Sequence, residues 1–533
     1  MKKNKIYLLS IAFSMLALAT SCDSFLDKLP DDRAEVNTDD KVTSLLVSAY
    51  PTVAANVILE ASSDNLIDNG EQYSTTKLIE DAYRFRTITP ENNDTPKDLW
   101  NNYYKAIASA NQALASIEEM GNPESLKAQR AEALMCRAYG MFSLANVFCM
   151  AYNPEKADEY MGLPYPLKPE TTVNPDYERG TLKQLYENIN KDIEEALPNI
   201  SDDIYTQPKY HFNQKAAYAF AARFNLYYMN YDKVIEYATK VLGTNPSAML
   251  RTWAPLMDYS NSDDICNAYM KSSEKANLLL QPIYTIAGRY LQAGAGYRFA
   301  HNNSNINTYE TYRANMPWGG SYNHTTLIPS RLMYGMAQLV FVPKLLEQFE
   351  YTDKVNGTGY PHIVVTAFTA DETLLCRAEA YALKGDKANA IADINTWIAS
   401  HTTEVSNDGK VTRPVMTEES INSFYDGLEY EPVRITSNAV RSVRKKLNPQ
   451  GFTVAAGSQE NIIELILQMR RIETCFEGLR FQDLKRYGIE YEHIIDGESP
   501  VTFKAGDLRG AIQLPNDVLE AGLPANPREE SNN

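Results

Sequence analysis

Cysteine and histidine are scarce, six of each in 533 residues, and tryptophan is scarcer still at four. None of the histidines (His211, His301, His324, His362, His401, His493) has metal-site spacing such as H-E-x-x-H, so no metal centre is expected. Apart from Cys22, the cysteines (Cys136, Cys149, Cys266, Cys376, Cys475) are odd in number and fall mostly inside helical patterns. That excludes a disulfide framework and leaves them as small buried hydrophobes. Positive charge is in deficit: 51 Lys and Arg against 68 Asp and Glu give a net charge of −17, which disfavours nucleic acid as a partner. There is no P-loop and no G-x-S-x-G, and Gly294-Ala-Gly296 lacks the third glycine and strand–helix context of a dinucleotide loop. No cofactor is expected. The N-terminal apolar run, Ile6 to Ala19, is too short for an ordinary transmembrane helix, and no other segment reads as membrane-spanning.

What the chain does have begins at its amino terminus. Lys2, Lys3 and Lys5 precede an apolar run from Ile6 to Ala19, the pattern of a signal peptide over residues 1–21. Leu18-Ala-Thr-Ser-Cys22 follows and resembles a bacterial lipobox, although Ala19 stands three before the cysteine where leucine is usual. Cys22 is therefore the expected lipidation site and membrane anchor of the mature chain.

The organising stretch is Thr369 to Ile398, which reads as two antiparallel helices. Thr369 and Glu372 form an expected capping box, Leu375, Ala378 and Ala382 share one face, and Gly385 suits the left-handed turn between the helices. In the second helix Ala390, Ile394 and Trp397 face inward. Such a tetratricopeptide-type hairpin cannot bury its apolar face alone. Helices expected over Thr95–Met120, Glu124–Phe148, Thr181–Leu197, Asn213–Tyr228 and Tyr231–Leu242 supply partners. Arg137, Arg223 and Arg377 recur in similar helical contexts and read as snorkelling or paired scaffold residues. Trp100 and Trp397, inside repeat helices, read as core. A last helix is expected from a Ser458 cap to about Glu477, its carboxylates Glu473, Glu477 and Asp483 pairing with Arg471, Arg480 or Arg486. Between residues 244 and 341 glycine, asparagine and tyrosine become frequent, which reads as a loop-rich insertion with short helices and strands.

Several motifs, in order, resemble the SusD/RagB family of outer-membrane lipoproteins. They are Cys22-Asp-Ser-Phe-Leu-Asp; Trp100, Tyr104, Ile107 and Asn111 at helical spacing; Arg137-Ala-Tyr with Phe142 and Leu144; Arg179-Gly-Thr-Leu through Asp192-Ile and Ala196-Leu-Pro; Arg377-Ala-Glu-Ala-Tyr with Gly385-Asp and Asp393; and, most specific, Arg470-Arg471-x-Glu473 with Phe476-Glu-Gly478, Arg480-Phe, Asp483-Leu and Arg486. The resemblance covers nearly the whole mature chain. It implies a mostly α fold, SusD-like, with four tetratricopeptide-like helical units and a loop-rich variable region. The expected layout is one SusD-like domain over 22–533, with its scaffold at about 40–243 and 369–399, a ligand-facing insertion at about 244–368, and a C-terminal SusD/RagB region at about 400–533. It further implies a surface-exposed, lipid-anchored protein that binds nutrient glycan and delivers it to a SusC-like TonB-dependent barrel, without catalysis. RagB-type members capture oligopeptides, which is the first alternative; a pure interaction scaffold is the second and an enzyme, needing a paired-carboxylate cleft, the third.

A sugar site needs flat aromatic faces beside hydrogen-bonding groups. The segment Tyr290–Asn323 supplies Tyr297, Tyr309, Tyr312, Tyr322, Arg313, Asn323 and Trp318, with Arg298 and Asn302, Asn303, Asn305 and Asn307 among them. Trp318-Gly-Gly is the foremost single candidate, since the glycines let a ligand approach the backbone. Tyr73, Tyr83 and Arg84 form a second group expected to meet the first in space. For each tyrosine the competing reading is packing of the insertion onto the scaffold.

Overall fold

A computed structural model describes residues 36–170, 177–292, 297–319, 326–332, 340–407, 410–436 and 441–529. The expectations for Cys22, Tyr322, Asn323 and Gly320 lie outside them.

Among the described residues helix α1 (Asp39–Leu46) comes first, behind a Thr38 cap, and α2 (Lys77–Tyr83) stands behind a Thr76 cap. Helix α3 (Pro96–Glu119) starts as its sequence dictates: Thr95 accepts from the Asp98 N–H and proline occupies the first turn, where no N–H is needed. It packs on α4 (Lys127–Phe148), and α4 on α5 (Leu182–Ala196). The Thr181/Gln184 capping box of α5 is formed. Helix α6 (Gln214–Tyr227) joins through Phe224, whose ring lies 5.6 Å from Tyr186 of α5 and 5.6 Å from Phe142 of α4. Helix α7 (Tyr231–Leu242) packs on α6 and on α8 (Ala370–Leu383). Helix α8 then packs against α9 (Lys387–His401) and α10 (Ser458–Glu473). The result is the expected mostly α architecture of helical pairs. Small residues of α8, including Ala370, Ala378, Ala380 and Ala382, are fully buried, so neighbouring backbones approach closely.

Two caps differ from expectation. Thr369 does accept from the Glu372 N–H, but the Glu372 carboxylate turns away to Arg223 and Arg470, so no reciprocal box forms. Ser458 is the first residue of α10 rather than its cap; Gly457 precedes it and the Ser458 hydroxyl donates to Glu418 instead. Helix α10 also ends at Glu473, short of Glu477. Gly478, at φ +75°, turns the chain into α11 (Leu479–Tyr487). A Cβ there would sit 3.0 Å from that of Leu59, so both backbone and packing call for glycine.

The helices are tied by buried ion pairs. Arg137 reaches Asp192 through two bonds of 2.6 and 2.7 Å, and Arg377 reaches Asp393 through two of 2.9 and 2.7 Å. Arg223 pairs with Glu372. Of the C-terminal carboxylates, Asp483 has an expected partner, Arg486, while Glu473 and Glu477 choose others. Asp483 takes Arg470 and Arg486, whereas Arg471 and Arg480 both reach back to Asp64, and Arg471 also to Glu310. Glu477 pairs with Lys344 and Glu473 with His401.

The variable part carries the longest strands. β1 (Ile67–Asp68) pairs antiparallel with β3 (Phe299–Ala300). β2 (Asn277–Tyr284), β4 (Gln348–Asp353) and β5 (Thr358–Thr369) form an antiparallel sheet of order β2-β5-β4, and β5 runs directly into the cap of α8. The five cysteines from Cys136 to Cys475 are free and buried. Among the described residues no helix is long and apolar enough to cross a membrane.

Candidate functional site

The two tyrosine-bearing segments do meet. Beyond the β1–β3 pairing, Ser74 forms a bridge with Tyr297, the Asn69 N–H donates to Arg298 O at 2.7 Å, and Asn69 Nδ2 donates to Tyr297 O at 3.0 Å. Arg298 clasps Asp68 with bonds of 2.8–3.0 Å, and Asn302 donates to Asn69 Oδ1 at 2.9 Å. Tyr73 and Tyr297 are half-buried on this seam, with Tyr297 edge-on to Tyr290 at 5.3 Å.

From the seam a π-helical turn, Asn303–Asn307, projects behind the Asn302 cap. Tyr309 follows it with 48% of its surface exposed. The Arg441 guanidinium lies 5.5 Å from the Tyr309 ring and also bonds Asn305, Glu310 and Glu431. Beside them opens a cleft of about 200 Å³, bordered by Asn305, Ile306, Glu310, Val433, Arg441 and Ile494. An aromatic face, a fixed cation and asparagine side chains thus share one edge, the pairing of stacking and hydrogen bonding that a polyhydroxylated ligand requires. Below the cleft Asp64 receives Arg471 and Arg480. Burial opposes its ionisation, but the two guanidiniums outweigh it and hold the carboxyl well below its ordinary range. His301, enclosed nearby, is pushed down to about 3 by burial and by Arg471, and so stays neutral.

Other expected site residues belong to the packing. Trp318 is 2% exposed, its ring 5.7 Å from Trp397 and its carbonyl accepting from Thr326. A stacking platform needs a free face, and Trp318 has none. Tyr312 is equally buried, donating to Ile472 O at 3.1 Å. Arg84 is buried against Glu498 and Glu80, Tyr83 is stacked on His493 at 3.9 Å, and Arg313 is nearly enclosed, donating to Asn303 at 2.7 Å. Burial of the mixed-charge and aromatic groups is what fastens the insertion to the scaffold.

The sequence reading missed a second aromatic group. On the β4–β5 hairpin and the end of β2, Tyr284, Phe349, Tyr351 and Tyr360 are 37–56% exposed. Tyr284 meets Tyr360 edge-on at 6.0 Å, and Phe349 meets Tyr351 at 4.9 Å. The signal was available in the alternation of aromatic and polar residues from Gln348 to Asp353.

Three metal-type side chains, Asp371, His401 and Glu473, converge within 4.8 Å, all buried. They are already engaged with one another and their surroundings. His401 Nδ1 meets Trp397 O at 2.9 Å, its Nε2 meets Glu473 at 2.9 Å, Trp397 Nε1 donates to Glu473 at 3.0 Å, and Asp371 accepts from the Arg251 N–H. Burial works against ionisation of Glu473, but His401 reverses it and keeps the carboxyl below its ordinary range. The cluster clasps the ends of α8, α9 and α10.

The fold is that of a helical-repeat protein, and comparison with known proteins makes the class specific. A family described as starch-binding and associating with the outer membrane matches residues 24–226, and the SusD family matches residues 429–513, together more than half the chain. The chain belongs to the SusD/RagB family. It is similar to a SusD superfamily protein from Bacteroides fragilis (18% identity, 92% of this chain and 98% of that one, TM-score 0.58). It is also similar to one from Bacteroides thetaiotaomicron (17% identity, 92% and 99%, TM-score 0.57). A laminarin-binding SusD-like protein matches at 17% identity over 92% of this chain and 99% of that one, with a TM-score of 0.53. No functionally curated protein matches.

Proposed function

We propose that this protein binds nutrient oligo- or polysaccharide at the cell surface and hands it to a SusC-like TonB-dependent barrel, without catalysing its breakdown. The observation that carries this reading is Tyr309, exposed and 5.5 Å from the guanidinium of Arg441, which together with Asn305 borders a cleft. The starch-binding description of the matching family and the laminarin-binding neighbour support glycan as the ligand class. An anchor at Cys22, on the outer face of the outer membrane, is the localisation that goes with it. Calorimetry of Tyr309→Ala with the cognate glycan tests the site. Binding weakened about tenfold or more, with an unchanged melting temperature, is expected; unchanged affinity removes Tyr309 from it. Cys22→Ala is expected to release the protein from the membrane fraction, and retention there in cells lacking the barrel contradicts the anchor.

An oligopeptide ligand is the second reading, favoured by one feature. β4 is an edge strand exposed almost throughout, and an edge strand can accept an extended peptide.

A further inference from the structure

A second cavity, about 650 Å³, lies elsewhere and shares no lining residue with the Tyr309 cleft. It is an open groove on the outer side of α3, closed by the segment from Pro164 to Glu170, by Tyr177, and by α12 (Asn516–Glu520) with the turn after it. Three chain segments distant in sequence therefore build it.

Trp100 and Tyr104 of α3 line the groove, their rings 4.7 Å apart and tilted by 49°, with Trp100 backed edge-on by Phe148 at 5.5 Å. Trp100 is half-buried, not sealed in the core as its place in a repeat helix suggested. The opposite wall carries Pro164 and Pro166. Neither proline has an N–H, and their carbonyls are taken by the Tyr104 hydroxyl at 2.9 Å and Asn111 Nδ2 at 2.8 Å. The backbone of α3 is satisfied within its own helix. The rim carries exposed Lys105 and Lys168 and exposed Glu170 and Asp517, two charges of each sign.

These features select among ligand chemistries. A bound peptide draws much of its affinity from backbone pairing; α3 offers none, and on the facing wall the two prolines lack an N–H and their carbonyls are already taken. A large anion or cation would meet as much repulsion as attraction at a balanced rim. A short uncharged oligosaccharide fits: a ring's C–H face lies on Trp100, and its hydroxyls reach lysine donors and carboxylate acceptors. The volume is that of a small-ligand site. We propose that this groove is a second saccharide site, taking a short neutral oligosaccharide with Trp100 as its stacking face. The inference rests on the glycan-binding reading above and adds a separate site on the helical-repeat part.

The test is calorimetry of the full-length, detergent-purified protein with maltohexaose, laminarihexaose and cellohexaose, on wild type, Trp100→Ala, Ala108→Trp and Tyr309→Ala. Ala108 is exposed and lines the groove, so Ala108→Trp fills the site from a position where the fold tolerates bulk. The expected result is two classes of site in wild type for at least one hexaose. Ala108→Trp and Trp100→Ala each remove or weaken one class about tenfold or more, while Tyr309→Ala affects only the other. A single class abolished by Tyr309→Ala and untouched by Ala108→Trp overturns the second site and leaves the proposed function standing. A single class abolished by Ala108→Trp and untouched by Tyr309→Ala keeps the groove and overturns the Tyr309 cleft. No binding of any hexaose counts against both.

Discussion

At the residue scale the sharpest lesson concerns tryptophan and arginine. Composition around Trp318 pointed to a binding platform, because Trp-Gly-Gly in a tyrosine-rich loop is what such a platform looks like. The structure spends that ring on Trp397 instead. Trp318→Ala is therefore expected to lower unfolding free energy by about 3–5 kcal/mol, the range for truncating a buried tryptophan, as read by chemical denaturation. A stability change under 1 kcal/mol would place the ring outside the core. The recurrence of Arg137, Arg223 and Arg377 was legible, and so was a paired role; the partners were not, because Asp192 and Glu372 come from other helices. Arg137→Ala leaves Asp192 buried without its counter-ion, and about 3–5 kcal/mol of destabilisation is expected in urea melts. Glu473 gives a pH signature. Its folded pKa lies below the unfolded one, so its contribution is complete above the ordinary carboxylate range near about 4 and is lost as pH falls below it. Glu473→Gln is expected to flatten the acid limb of the stability–pH curve, and an unchanged slope would show that His401 does not hold that carboxylate.

At the element scale, helices with strong local signals were legible nearly to the residue. Thr95 with Pro96, and Thr181 with Gln184, are instructions each carried within four consecutive positions or fewer. Thr181→Ala is expected to cost about 1 kcal/mol, measured by thermal denaturation, since it leaves an N-terminal amide of α5 without its partner. Where the cap partner is drawn off by tertiary structure, local rules fail. Glu372 abandons its capping box because two buried arginines, Arg223 and Arg470, compete for the carboxylate. The short α2 was missed because its seven residues fall in a polar stretch with little periodicity. The exposed hairpin β4–β5 was missed for the opposite reason. Its aromatic residues alternate with polar ones on a strand exposed almost throughout, so no buried face marks it.

At the scale of the whole molecule the helical-repeat class could be read because each amphipathic hairpin demands another to cover it. The site could be read only as a region. Aromatic abundance leads one to expect ligand chemistry between residues 244 and 368, but which rings stay exposed depends on contacts with residues more than a hundred positions away. Tyr312 is lost to Ile472, while Tyr309, three residues earlier, remains free beside Arg441. The central claim is that this edge receives glycan and leaves it intact. The most direct measurement is an affinity-gel and calorimetry screen of the full-length protein against soluble plant, fungal, host and bacterial polysaccharides, with a peptide mixture alongside and reducing ends assayed throughout. Binding of one glycan class, with no release of reducing ends, is the predicted result. Binding of peptides alone, or release of new reducing ends, would contradict it.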